Sequence, residues 1–153
     1  MKTYGSDRRA AFRFLAAFAL AGCLAGNALA ETRTKATTLR MGAHRLKVEV
    51  VSADAERSKG LMFREKLGEN DGMLFLFDEP AYHSMWMKNT LIPLSVAFVD
   101  AEGRILNILD MEPHSLDSHA SAGPSIYAIE TNRGWFAKRN VKAGDKVSGL
   151  PKR

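Results

Sequence analysis

Cysteine is almost missing: the 153-residue chain has one, Cys23, and none after it. A disulfide framework is thereby excluded, as are a cysteine nucleophile and a cysteine metal site beyond residue 23. Long apolar runs are missing too. The charge-free stretch from Phe14 to Ala30 is 17 residues, short of the roughly 20 that span a bilayer. No Gly-x-Ser-x-Gly and no His-Glu-x-x-His occurs, and there is no internal repeat or low-complexity tract. Without paired carboxylates or a nucleophile–base spacing, no hydrolase constellation is visible.

An excess of one charge is also lacking once the N-terminus is set aside. Lys2, Arg8, Arg9 and Arg13 precede the apolar run, which ends in Ala28-Leu29-Ala30. Basic, then apolar, then small-x-small is the pattern of a secretory signal peptide, assigned here to residues 1–30. Leu20-Ala21-Gly22-Cys23 offers the alternative of a lipoprotein anchored through Cys23, the one route to the membrane. Arg8-Arg9 fits a twin-arginine signal poorly on both flanks, so general secretion is the expected route. The whole chain is +5, but beyond position 30 there are 18 basic and 16 acidic residues, a net of +2. The alkaline pI therefore belongs largely to the leader, and no nucleic-acid partner is expected.

What is present reads as one β domain. Residues 31–37 form a polar, flexible lead-in, 38–149 a single domain and 150–153 a tail. Leu46, Val48 and Val50 alternate with Arg45, Lys47 and Glu49 behind the Gly42 turn, which predicts a hairpin. Ser52 to Gly60 has the capping residues of a short helix, followed by an apolar plug, Leu61-Met62-Phe63. Met73–Phe77 and Leu94–Val99 are nearly all apolar, as strands covered on both faces are. Arg104–Leu109, Ser125–Glu130 and Lys146-Val147 add further strands. A loop spans Met111–Pro124, and a short helix with Trp135 and Phe136 inward spans 134–141. The fold class is mainly β: a compact sandwich or distorted barrel with one or two short helices.

Between the apolar strands lies a polar-aromatic knot, His83 to Thr90. Read as a strand, it puts His83, Met85, Met87, Asn89 and Leu91 on one inward face, with Asn89 buried. That parity supports a Cu(I) alternative, a periplasmic copper protein using the imidazole of His83 and the thioethers of Met85 and Met87. The plainer reading makes them core. Arg64, Trp86, Met87, Lys88, Asn89 and Glu130 are the candidate ligand-binding residues, converging at one mouth of the barrel to suit an anionic or sugar-like ligand. Arg64 and Glu130 alternatively form a buried ion pair with no ligand.

Gly60-Leu61-Met62-Phe63-Arg64, Gly72-Met73-Leu74-Phe75 and Trp86-Met87-Lys88-Asn89-Thr90-Leu91-Ile92-Pro93-Leu94 resemble the signature of a bacterial and archaeal family, domain of unknown function 192. Phe98-x-Asp100, Gly103, Gly134 and Gly144-Asp145 are similar as well, over about residues 38–149. The resemblance implies a small mainly-β fold, often exported, and supplies no activity. It also implies Asp after Pro93-Leu94, where this chain has Ser95, a hydroxyl that cannot serve as a carboxylate base. The expectation is an exported, monomeric envelope domain acting as a non-catalytic binding or accessory module. Its partner is an unknown small molecule or envelope component, and no cofactor is expected. A hydrolase without a recognisable motif is the other alternative.

Overall fold

The computed structural model describes residues 35–152; the leader, Cys23 and most of the lead-in lie outside the described residues. β1 (Lys35–Met41) and β2 (His44–Val51) form the expected hairpin. Gly42 turns it at φ +58, a conformation that costs a residue without Cβ little. β1 begins at Lys35, three residues before the expected start of the domain.

β3 (Asp71–Ala81) then pairs with β2 in parallel, the one parallel pairing in the large sheet. A parallel neighbour requires a crossover. Residues 52–70 supply it, including helix α1 (Asp54–Lys59). Neither Ser52 nor Asp54 caps α1; Ala53 holds the N-cap position, and the Glu56 carboxylate accepts from the Ser52 and Ala53 N–H groups at 3.3 Å each. The remaining strands are β4 (Ser84–Met85), β5 (Leu94–Val99), β6 (Ile105–Met111), β7 (His119–Ala120), β8 (Ser125–Asn132) and β9 (Val147–Ser148). Seven of the nine strands form one sheet in the order β6-β5-β8-β3-β2-β1-β9, and β4 pairs separately with β7. The architecture is mainly β, as expected, with the sheet curled into a half-barrel.

Alternation along the central strands explains why both faces are dry. On one face Leu74, Ala97, Val99 and Ile129 pack with Leu39, Leu46, Trp135 and Phe136. On the other, Met73, Phe75, Val96, Phe98 and Ala128 pack with Leu61, Met87 and Ile92. The second face is roofed by the crossover and by the segment after β4. Each fully buried large side chain contributes roughly 1.5–3 kcal/mol.

Two expectations fail locally. The segment 134–141 holds only a 3-10 turn at Ala137–Arg139, although Trp135 and Phe136 do point inward. Trp135 is fixed by donating Nε1–H to Asn70 Oδ1 at 3.1 Å, with the Arg139 guanidinium 4.5 Å from its ring. The knot is not a strand either: pairing stops at Met85, and Met87–Thr90 is a turn closed by Thr90 N–H on the Met87 carbonyl at 3.0 Å. Parity therefore does not carry past Met85, and Asn89 is exposed rather than buried.

Candidate functional site

Glu130 lies on β8 between Met73 of β3 and Val96 of β5, so its side chain belongs to the roofed apolar face. Only 4% of it is exposed, and its carboxyl has no hydrogen-bond or ion-pair partner among the described residues. Burial pushes its pKa from an ordinary 4.5 up to about 8. The group is thus a neutral acid near pH 7, with one O–H to donate.

The carboxyl faces a small chamber walled by Leu61, Met62, Phe75, Met85, Trp86 and Thr90, with Arg57 and Lys59 at its edge. Its free space, about 30 Å³, holds a water molecule or two, or one polar group of a larger ligand. A groove of about 580 Å³ adjoins it, sharing Lys59, Gly60 and Met62 as walls and floored by Val51 and Met73. A groove of this size is ordinary for a small molecule.

The sequence builds these walls by breaking regularity at chosen points. α1 ends at Gly60, whose φ is +47 and whose missing Cβ leaves room for the Phe75 ring at 3.1 Å. Leu61 then enters the core, while Phe63 turns out at φ +63 and is 65% exposed. A bulky residue in that region is strained, which is most common at functional sites. The Phe63 N–H donates to the Asn89 carbonyl at 2.9 Å, joining crossover to knot. Asn89 is itself left-handed at φ +55, a conformation asparagine tolerates. Met87 N–H bonds the Ser115 carbonyl and His114 N–H the Thr90 carbonyl, which fixes the knot from its other side.

The structure divides the six sequence candidates. Trp86 and Glu130 line the same chamber. Lys88 Nζ lies 5.2 Å from the Trp86 ring centroid, so it stands beside the mouth. Asn89 reaches the wall through its Nδ2, 4.0 Å from Met62 Sδ. Met87 is entirely buried and serves as the anchor of the knot. Arg64 does not meet Glu130, which corrects the expected ion pair: its guanidinium grips Glu49 with two bonds of 2.7 and 2.6 Å. That pair borders the 580 Å³ groove and a second of about 570 Å³. Glu49 was legible only as a polar strand position. Met62 and Thr90 lay inside the signature motifs, but nothing in their spacing aimed them at Glu130.

The copper set loses its shared strand face. His83 stacks on Phe77 with centroids 3.6 Å apart, and Met87 is core. Among the described residues, no group of three or more His, Cys, Asp or Glu could hold a metal ion. Ser95 is structural in its contacts: its hydroxyl donates to the Asp110 carboxylate across the β5–β6 pair and accepts from Gly134 N–H at 2.9 Å.

A curled half-barrel whose crossover and knot roof the one buried acid among the described residues defines the class: a small mainly-β domain with a pre-formed chamber. The model of the uncharacterised ACR family DUF192 matches residues 36–149, and the chain belongs to that family. Two crystal structures are similar. A protein of unknown function from Novosphingobium aromaticivorans DSM 12444 is 37% identical with a TM-score of 0.68, over 74% of this chain and 83% of that one. A candidate transcription regulator from Sinorhizobium meliloti 1021 is 35% identical with a TM-score of 0.70, over 74% and 92% respectively. No curated protein matches the sequence.

Proposed function

We propose that the domain is a non-catalytic binding module of the cell envelope whose site is the Glu130 chamber with its adjoining groove. The carrying observation is the Glu130 carboxyl itself, nearly buried among apolar side chains, without a partner among the described residues and with its oxygens not fully enclosed. A buried polar group left unpaired costs about 1–3 kcal/mol. Native proteins rarely keep one without a use, and a neutral acid in a chamber beside a groove is a ready hydrogen-bonding partner for a ligand. The strained, exposed Phe63 and the exposed Trp86 at the rim support the same reading. Arg64 and Lys88 contribute charge along the approach. A DNA-reading role like the one named for the Sinorhizobium protein draws no support from a net +2 domain whose one α-helix, among the described residues, has six residues.

The leader supports an exported, periplasmic placement. Intact mass of the processed chain tests it: a start at Glu31 is expected, and a lipidated start at Cys23 identifies the anchored form instead.

The test of the site compares Glu130→Leu with the wild-type chain in a thermal-shift screen of small organic acids, alcohols, amides, sugars and metals. Only ligands that favour the native state raise its Tm. Glu130→Leu is expected to fold with an equal or higher Tm and to lose the ligand response. A variant that unfolds marks Glu130 as structural and overturns the reading, as does a variant that still responds.

A further inference from the structure

We infer that the chamber and groove bind a small amphipathic carboxylic acid, its carboxylate against Glu130 and its apolar body along Met62 and Met73. This names the ligand class of the proposed site and rests on that reading of the chamber.

An inventory of free donors and acceptors carries the inference. The two terminal nitrogens of Arg57 are committed to the Asp54 and Asp78 carboxylates and to the Ser52 and Leu76 carbonyls. The Thr90 hydroxyl donates to the Lys88 carbonyl at 3.3 Å. In the groove, Glu49 is held by Arg64, and Glu56 by the two N–H groups at the start of α1. Every acidic side chain of both walls except Glu130 is therefore spoken for.

What remains uncommitted is the Glu130 carboxyl and two ammonium groups. Glu130 offers an O–H from inside the chamber. The Lys59 ammonium, in the wall shared by chamber and groove, has no ion pair or hydrogen bond among the described residues. Lys88 stands over Trp86 with its ammonium likewise unpaired by any acid. Glu130 keeps a carbonyl acceptor beside its O–H, so the preference for negative charge comes from the two unpaired ammonium groups, which select an anionic ligand. An O–H···O⁻ bond between an acid and a carboxylate is among the strong hydrogen bonds.

Size and polarity narrow the class. A space of about 30 Å³ admits the end of one planar group and little more. A phosphate would bring more oxygens into that space than the Glu130 O–H and the Lys59 ammonium pair, at a cost for each one left unpaired. The groove of about 580 Å³ shares Lys59, Gly60 and Met62 with the chamber and adds Val51, Phe63 and Met73 to its walls, which suits an aliphatic or aromatic body.

The groups that face Glu130 or the ligand are Arg57 and Lys59 of the helix, Lys88 of the knot, and Glu49, Glu56 and Arg64 along the groove. Loss of charge from either lysine weakens binding in the same direction as ionisation of Glu130, so the conservative Glu130→Gln variant is the control. Its amide still donates but does not titrate.

The experiment is calorimetric titration of the full chain with hexanoate, benzoate, hexanol and inorganic phosphate at pH 6 and pH 9.5. Hexanoate or benzoate is expected to bind at pH 6 and at least about tenfold more weakly at pH 9.5, where two carboxylates would meet. Glu130→Gln is expected to bind within about tenfold of wild type at pH 6 and to lose most of the pH dependence. Binding of hexanol or phosphate as tightly as hexanoate overturns the carboxylate assignment. If Glu130→Leu abolishes that binding, the chamber still stands as the site; if every probe binds Glu130→Leu unchanged, both readings fall.

Discussion

Glu130 concentrates the energetics of the domain in one side chain. Its folded-state pKa, about 8, lies above the ordinary 4.5. Between those values the folded chain holds a proton that the unfolded chain has released, so stability falls as pH rises. The contribution is fully present below about pH 4.5 and gone above about pH 8. Urea unfolding is expected to show Glu130→Leu gaining on wild type across that window, by an amount on the order of a few kcal/mol. A gap that stays constant from pH 5 to 8 would refute the assignment. Asn89 makes the second residue-scale case. Its φ of +55 fits Asn or Gly, so Asn89→Gly should leave Tm nearly unchanged. Asn89→Val should cost about 1–2 kcal/mol by placing a β-branched residue in the left-handed region; equal melting of the two would refute this.

Among the elements, the strands were legible and the knot was not. Leu94–Val99 announced itself by an unbroken apolar run, and it is buried at all six positions. The hairpin before it showed the two-residue period of a half-buried strand. His83 to Leu91 carries an equally suggestive alternation, yet it is a turn with a left-handed Asn89, and turn geometry overrides parity there. Glu130 was legible as a candidate because a carboxylate ended an apolar strand. That it stands unpaired was not, because Arg64, the expected partner, pairs across a long-range contact with Glu49 instead. No local spacing encodes such a contact. Helix α1 offers the element-scale prediction. It buries no residue and is tied to β3 by Arg57, which reaches the Leu76 carbonyl and Asp78 at 2.9 Å each. Arg57→Ala is expected to cost about 1–2 kcal/mol in chemical unfolding. It should also loosen ligand binding, since Arg57 borders the chamber; unchanged affinity with lowered stability would separate the two roles.

The molecule as a whole puts its rigidity and its site on different parts of the chain. β3, β5 and β8 are each paired along both edges within the sheet and share two dry cores. Those strands were readable because burial on two faces leaves a compositional mark. The roof over the second face was harder to read, because 52–70 and 86–93 are held by scattered backbone contacts and a few side chains rather than by a repeating pattern.

The parallel pairing of β2 with β3 has a kinetic consequence. It obliges the chain to leave the sheet between residues 52 and 70, so the roof before Asn70, whose carbonyl accepts the Lys47 N–H, can lift without a rung of the sheet being broken. Exchange of amide hydrogens should report this: residues 57–63 are expected to exchange together and well before β5 and β8, which open only on global unfolding. An occupant of the chamber should slow exchange in 57–63 and leave the strands alone. On this view the rate at which the site fills and empties is set by a fold-local opening of the crossover, not by the stability of the domain.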